Sequence, residues 1–146
     1  MKPAILYALL LISTTAFAQK DADETTIRNL LDAQTKAWNQ GDLVNFMKGY
    51  WESDSLLFIG KSGLTYGWQQ TLNNYTKSYP DTAAMGKLSF DIKKVQRIAA
   101  DYFFVVGKWM LTRSIGNLVD IIPYCLKRSK DNGLSLPITA VNVIFY

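Results

Sequence analysis

Apolar residues recur with the period of a helix in the first part of the chain. The stripe has members at positions i, i+3, i+4, i+7 and i+11, which are Ile27, Leu30, Leu31, Gln34 and Trp38; Gln34 is its one polar member. Gly41 can end this helix, because glycine tolerates the left-handed conformation of a C-terminal cap. Asp42 can cap a second helix, whose stripe is Leu43, Phe46, Met47 and Tyr50. The pattern predicts two helices separated by a sharp turn.

The next segment predicts strands and one further helix. The short apolar run from Ser55 to Gly60 is typical of a strand. A helical stripe follows at Trp68, Leu72, Tyr75 and Tyr79, and Pro80 ends it. Apolar and polar residues then alternate around Phe90, and the run from Tyr102 to Thr112 is rich in β-branched and aromatic residues. Helices come first and antiparallel strands follow, so the predicted fold class is α+β.

The long strand from Tyr102 to Thr112 has two different faces. We assign the face that carries the glycine to the concave side covered by the helices; it comprises Phe103, Val105, Gly107, Trp109 and Leu111. The other face comprises Tyr102, Phe104, Val106, Lys108 and Met110. That second face is unusually apolar for a surface in water, and it predicts a homodimer formed through the outer face of the sheet.

The pattern of hydrophobic and polar residues changes after Leu118. Residues 119–146 are predicted to be an out-of-frame tail. Pro123 stands where a central strand is needed, and residues 127–133 show no periodicity. Shifting the reading frame by one base permits a sequence with two strands and a clean stop. A base lost near codon 118 therefore explains the tail, and the alternative is a natural, divergent C-terminus. If the written tail is the true sequence, we expect the sheet to lack two strands.

The N-terminus predicts a secretory signal peptide over residues 1–18. Lys2 supplies the positive charge, residues 4–12 the apolar stretch, and Ala16, Phe17 and Ala18 the cleavage motif. Cleavage would leave a mature chain that begins at Gln19 and is secreted or periplasmic, without stable membrane insertion. The alternative is an uncleaved membrane anchor, although the apolar run is shorter than the roughly 20 residues that span a bilayer.

Composition narrows the possible chemistry of the remaining domain, residues 19–118. The chain has 146 residues, a formal net charge of +4 and no histidine. Lysine and arginine are scattered, which argues against nucleic acid as a partner. Without histidine there is no histidine-based metal site, triad or proton shuttle, and we expect neither a metal nor a cofactor. The single cysteine, Cys125, cannot form an internal disulfide.

Four short motifs carry a resemblance to a known superfamily. They are Trp38-Asn39-x-Gly41-Asp42, Phe46-Met47-x-Gly49-Tyr50-Trp51, Phe58-Ile59-Gly60 and Thr65-Tyr66-Gly67-Trp68. With these motifs the chain resembles the SnoaL-like and ketosteroid-isomerase-like families of the nuclear transport factor 2 superfamily, in particular a secreted branch of unknown function. The resemblance covers Asp23 to about Leu118. It implies a cone-shaped α+β barrel with a pocket, and it does not imply one activity.

The isomerase machinery of that superfamily does not carry over to this chain. Those members use a tyrosine and a protonated aspartic acid as an oxyanion hole and a second aspartate as a base. The tyrosine position falls on Gln34, the base position falls near Phe58, and the third position falls in the tail. Steroid isomerisation by that mechanism is therefore not expected.

The candidate ligand-binding residues are mainly aromatic: Gln34, Trp38, Tyr50, Phe58, Tyr66, Trp68 and Trp109. One interpretation is a pocket for a small apolar or aromatic molecule, with Gln34, Tyr50 and Tyr66 as polar contacts. The other is an ordinary hydrophobic core with Gln34 at its edge. Glu52 and Asp54 are either an acid–base pair at the pocket mouth or solvated loop charges. Alternative functions are a non-catalytic dimerisation or interaction module and a cofactor-independent isomerase, cyclase or dehydratase.

Overall fold

Two helices and a turn open the described part of the chain. A computed structural model describes residues 22–60, 63–129 and 133–140, so the predicted signal peptide lies outside the described residues. Helix α1 is described over residues 22–39, and Gly41 follows with a φ of 80°. Helix α2, Leu43–Met47, begins at Asp42, whose carboxylate accepts a hydrogen bond from the Asn45 N–H at 2.9 Å. The predicted turn and cap are confirmed.

Two further helices follow the first strands. Helix α3 spans Trp68–Ser78, close to the predicted stripe, and it ends before Pro80. The short helix α4, Thr82–Met85, was not predicted; the Asp81 carboxylate caps it by accepting a hydrogen bond from the Ala84 N–H at 2.8 Å. None of the helices in the described ranges is long and apolar enough to cross a membrane.

Six strands form one curled sheet. They are β1 Leu57–Gly60, β2 Gly63–Tyr66, β3 Lys87–Ala99, β4 Tyr102–Thr112, β5 Leu118–Ser129 and β6 Gly133–Ala140, in the spatial order β2-β1-β6-β5-β4-β3. All neighbours are antiparallel except β1 and β6, which run parallel. The α+β class and the helices-first order are confirmed, whereas strand β2 was not predicted.

The prediction that the tail cannot complete the sheet is wrong for residues 119–129 and 133–140. Strand β5 pairs with β4 from Leu118↔Leu111 to Lys127↔Tyr102, and it buries Ile122, Tyr124 and Leu126. These residues alternate with polar or half-buried ones, which is the period of a strand. The structure thus assigns the written sequence a place in the core. The lost base itself stays a prediction that resequencing codons 117–120 tests.

The register of the last strands shows where the two prolines of this region lie. Pro123 pairs with Val106 on β4. Pro137 lies within the register shift between the Cys125↔Ile138 and Lys127↔Ser135 pairs. Proline is tolerated at such a bulge, because its missing N–H does not remove a regular ladder hydrogen bond there.

The helices pack on the concave face of the sheet. On β4, Phe103, Val105 and Leu111 are buried there, whereas Tyr102, Phe104 and Met110 are exposed on the opposite face. The predicted assignment of the two faces is confirmed. The buried residues of α1 and α2 join those of β4 and β5 in one core, and the aromatic side chains at its edge border a cavity.

Candidate functional site

A cavity of about 550 Å³ lies between helix α3 and the concave face of the sheet. Aromatic rings form most of its wall: Trp38, Phe46, Tyr50, Phe58, Tyr75, Tyr79, Phe90, Trp109 and Tyr124. The other lining residues are Gly60, Thr65, Thr71, Asn74, Ser78, Leu88 and Leu111. A cavity of this volume lies in the range of small-molecule sites in proteins.

Helix α3 places one side of the wall by its periodicity. Four of its residues and its C-cap line the cavity at i, i+3, i+4, i+7 and i+8, namely Thr71, Asn74, Tyr75, Ser78 and the cap residue Tyr79. The Thr71 hydroxyl donates to the Gly67 carbonyl at 2.9 Å, which ties the start of the helix to the preceding turn. The spacing of the stripe thus determines which α3 side chains reach the cavity.

The ring of Tyr75 lies at the centre of a cluster of aromatic side chains. Its centroid is 5.3 Å from that of Phe46, 5.7 Å from that of Phe58 and 6.0 Å from that of Tyr79. Most of these contacts are edge-to-face, the arrangement that ring quadrupoles favour. The Trp38 indole joins the cluster at 4.8 Å from Tyr79 and donates from Nε1 to the Met85 carbonyl at 3.1 Å. These ring contacts and the indole hydrogen bond fix the positions of the aromatic side chains in the wall.

The phenol groups of the wall are neutral donors. Tyr50 and Tyr75 share one hydrogen bond, with their hydroxyl oxygens 3.2 Å apart. Burial raises the pKa of Tyr50 far above its usual value, and the nearby Tyr124 phenol acts in the same direction. Burial also raises the pKa of Tyr75 and of Tyr124, and to a smaller extent that of Tyr79. These groups stay protonated at physiological pH.

The polar residues at the other side of the cavity also form hydrogen bonds. Asn74 donates from Nδ2 to the Thr65 hydroxyl at 3.2 Å, and its Oδ1 accepts from Gln70 at 3.0 Å. No Asp, Glu, Lys or Arg lines the cavity in the described part of the chain, and no cluster of potential metal ligands is found there. The described residues of the site offer hydrogen-bond donors and aromatic surface, and no carboxylate that could act as a base is among them.

Four of the seven predicted pocket residues line this cavity: Trp38, Tyr50, Phe58 and Trp109. They come from α1, the turn after α2, β1 and β4, so the fold brings together residues that are far apart in sequence. The Trp109 Nε1 is buried, and it has no hydrogen-bond partner among the described residues.

Three predicted pocket residues lie outside the cavity. Tyr66 is 63% exposed, because side chains alternate along β2 and its neighbour Thr65 takes the inward position. Trp68 donates from Nε1 to the Met47 carbonyl at 2.9 Å and so ties α3 to α2. Gln34 is 2% exposed and donates from Nε2 to the Phe46 carbonyl at 3.1 Å, which makes it a buried link between α1 and α2.

Sequence reasoning missed several residues of the wall. Tyr75 and Tyr79 belong to the predicted helical stripe, so their position on the inner face was readable from the spacing. Tyr124 lies in the tail, which the hypothesis of a base lost near codon 118 excluded from the domain. The loop carboxylates Glu52 and Asp54 are exposed and do not line the cavity, which removes them as an acid–base pair at this site.

Comparison with known proteins places the fold in a superfamily. No protein-family model and no curated protein matches the chain. A solved nuclear transport factor 2-like protein of unknown function from Shewanella oneidensis is 31% identical; the match covers 81% of this chain and 97% of that one, with a TM-score of 0.76.

Two more distant solved structures share the fold. One is a ketosteroid isomerase-like protein from Erwinia carotovora atroseptica, at 17% identity and a TM-score of 0.59, covering 80% of this chain and 92% of that one. The other is a Catenulispora acidiphila protein solved in complex with S-DNPA, at 12% identity and a TM-score of 0.60, covering 82% and 91%. With the Shewanella relative matched over nearly its whole length, the chain belongs to the nuclear transport factor 2-like superfamily.

Proposed function

We propose that the protein binds a small, uncharged, mainly aromatic molecule in the cavity between α3 and the sheet. The observation that carries this proposal is a cavity of about 550 Å³ whose wall is mostly aromatic and includes no charged side chain among the described residues. An ion buried there would lose its hydration without gaining a counter-charge, which costs several kcal/mol. An uncharged aromatic molecule would instead gain ring contacts and remove apolar surface from water.

Binding is favoured over catalysis by the chemistry of the wall. An isomerase, cyclase or dehydratase that works by acid–base chemistry needs a group that can accept a proton near neutral pH. The raised pKa values of Tyr50, Tyr75 and Tyr124 keep these phenols protonated, so they are donors and not bases. A fold neighbour, the Catenulispora protein, has been solved in complex with S-DNPA, which is consistent with ligand binding in this architecture.

The uncharged fluorescent probe N-phenyl-naphthylamine tests the proposal directly. Its emission rises when it enters an apolar site, and titration should give saturable binding to the wild-type protein. Asn74 lines the cavity, whereas its neighbour Asn73 is exposed and does not; each accepts a hydrogen bond from a glutamine one turn earlier. Asn74→Trp should therefore obstruct the cavity, and Asn73→Trp is the matched control.

The expected result is a loss of at least about tenfold in probe affinity for Asn74→Trp, equivalent to about 1.4 kcal/mol. Asn73→Trp should bind like the wild type. Equal binding by the two variants, or no saturable binding by the wild type, would contradict the proposed function. Far-ultraviolet circular dichroism of each variant checks that the fold is intact.

We also propose that two copies associate through the outer face of the sheet. Phe104 and Met110 on β4 are exposed, and the same face continues on β5. There Val119, the partner of Met110, is 57% exposed, and Ile121, the partner of Lys108, is 52% exposed. Monomeric proteins rarely leave a contiguous apolar surface of this kind in water. A two-fold interface would cover the same face of both copies at once.

Sedimentation velocity measures this association. The wild type should sediment as a dimer, and the double variant Phe104→Glu/Met110→Glu should sediment as a monomer because like charges would face each other. Asn73→Glu, on exposed α3 surface, is the control and should stay dimeric. A monomeric wild type would exclude the dimer and leave the ligand-binding proposal standing.

We propose, finally, that the domain works outside the cytoplasm. The sequence of residues 1–18 supports this proposal, because it has the charge, the apolar stretch and the cleavage motif of a secretory signal. Expression of the full chain in a Gram-negative host, followed by N-terminal sequencing, should give a mature protein that begins at Gln19. Recovery of the uncleaved chain from the membrane fraction would instead support a retained anchor.

A further inference from the structure

We infer that Gly60 determines the size of the ligand: with no side chain at this position, the Phe58 ring lies back along β1, and the cavity takes extended, flat, polycyclic aromatic molecules. This inference rests on the proposed function and specifies the class of ligand. It depends on the contact between Gly60 and Phe58, on the neighbours of the Phe58 ring and on the backbone conformation of Gly60.

Positions 58 and 60 face the same side of β1. Side chains alternate along a strand, so residues two apart share a face, and both Phe58 and Gly60 line the cavity. A Cβ atom at position 60 would lie 2.9 Å from Cε1 of the Phe58 ring and 3.6 Å from its Cδ1. The first distance is shorter than the optimal separation of two carbon atoms, about 3.5–4.0 Å. The ring therefore occupies space that a side chain at position 60 would need.

The neighbours of the Phe58 ring determine where it would move if residue 60 carried a methyl group. The next inward position in the other direction is Leu56, which is fully buried in the core and leaves no space for the ring. The rings of Tyr50 and Tyr75 line the cavity, and their centroids lie 6.4 and 5.7 Å from that of Phe58. A methyl group at position 60 would therefore displace the Phe58 ring into the cavity.

The backbone of Gly60 does not itself require glycine. Its φ lies outside the left-handed range, in contrast to Gly63 and Gly67, whose φ values are 103° and 87°. Glycine also weakens a strand, because it has no side chain to pack. Space for the Phe58 ring is thus the property that glycine supplies at this position.

A displaced Phe58 ring would affect large and small ligands differently. The cavity of about 550 Å³ is in the range that holds a molecule of several rings. A compact ligand can avoid a ring that protrudes from the wall, whereas a ligand that fills the cavity cannot. The cost of overpacking then falls on the larger molecule. The residue at position 60 therefore discriminates between ligands by size.

Quinoline and acridine separate this selection by size from general apolar binding. Acridine has one more fused ring than quinoline, and both molecules are flat, carry one ring nitrogen and are uncharged at neutral pH. Each displaces N-phenyl-naphthylamine in competition, and the ratio of their affinities reports the preference for the larger molecule. Using the ratio cancels effects of a variant on the fluorescent probe and on contacts with the nitrogen.

Gly60→Ala should lower the preference for acridine by about five- to tenfold, because the displaced ring overpacks the site for the larger molecule. Phe58→Val shortens the side chain at position 58 and should raise that preference. The double variant should behave like Phe58→Val alone, since no ring remains for the methyl group to displace. Gly49→Ala is the matched control: its methyl group meets Gln34, which does not line the cavity, so the ratio should stay at its wild-type value.

Urea unfolding without ligand gives an independent measurement. Gly60→Ala should lose less stability than Gly49→Ala, because the Phe58 ring can move into open space and the buried Gln34 side chain cannot. Equal losses of stability, an unchanged ratio in Gly60→Ala, or a lowered ratio that persists in the double variant would overturn this inference alone. Failure of quinoline, acridine and N-phenyl-naphthylamine to bind the wild type would overturn the proposed function and the inference with it.

Discussion

The carboxylate of Asp23 on α1 and the guanidinium of Arg128 on β5 lie 2.5 Å apart, although 105 residues separate them in the sequence. The Asp23 side chain is only 4% exposed, and Arg97 on β3 approaches it to 3.6 Å. Both arginines also lie over the ring of Phe103, at 5.7 and 5.5 Å from its centroid. This ion cluster attaches the first helix to the far end of the sheet.

Arg128→Met should lower the free energy of unfolding by about 2 kcal/mol, because it removes the nearest counter-charge from a buried carboxylate. Arg97 still compensates part of that charge, which keeps the loss below that of a fully isolated ion. The control is Arg28→Met, which breaks the exposed pair with Glu24 and should cost no more than about 0.5 kcal/mol. Urea unfolding followed by circular dichroism measures both, and equal losses would contradict a specific role for Arg128.

Leu126→Ala tests whether the written C-terminal sequence belongs to the core. Leu126 is fully buried on β5, so its truncation should cost about 2–5 kcal/mol. Its neighbour Lys127 is exposed, and Lys127→Ala should change stability by no more than about 0.5 kcal/mol. A stable Leu126→Ala variant would show that β5 does not pack as described.

Gly49→Ala should destabilise the protein through a clash with Gln34. A Cβ atom at position 49 would come within 2.4 Å of the Gln34 Cδ, and Gln34 is buried with its amide bonded to the Phe46 carbonyl. The expected cost is about 1–3 kcal/mol. Combining Gly49→Ala with Gln34→Ala removes the clash, so the two costs should not add in a thermal or urea unfolding cycle. Strict additivity would show that the contact between the two residues is unimportant.

Stability should fall steeply in alkaline solution. The folded-state pKa values of Tyr50, Tyr75 and Tyr124 are raised by burial, so the unfolded chain loses these protons first. Their contribution is fully present below the unfolded pKa of about 10 and is lost above it, at about 1.4 kcal/mol per pH unit for each group. Urea unfolding at several pH values, with phenolate absorbance, measures this. Reversible titration of these phenols near pH 10 in the folded protein would contradict it.

Local patterns in the sequence predicted the elements that local spacing determines. The α1–α2 turn at Gly41 and Asp42, the end of α3 before Pro80 and the two faces of β4 were readable, because caps and side-chain periods act over a few residues. Only some of the residues that line the cavity could be predicted from the sequence. Tyr66 and Trp68 were placed in it because they are aromatic, whereas strand alternation and a backbone acceptor direct them elsewhere.

The tail shows where sequence reasoning went wrong. Pro123 and the lack of periodicity over residues 127–133 argue against strands there, whereas the alternation of Ile122, Tyr124 and Leu126 is the pattern of a buried strand face. The pairing of β5 with β4, which includes Pro123↔Val106, joins parts of the chain in the assembled sheet, and no local pattern indicates it.

The position of β6 has a consequence for the order of events during synthesis. The hairpin β1–β2, which supplies Phe58 and Thr65 to the cavity wall, reaches the rest of the sheet through β6. A nascent chain whose β6 is still inside the ribosomal exit tunnel therefore lacks the strand that joins this hairpin to the rest of the wall. The cavity forms only once β6 has emerged and paired, so a ligand can stabilise a chain that includes β6 and cannot assist a shorter one.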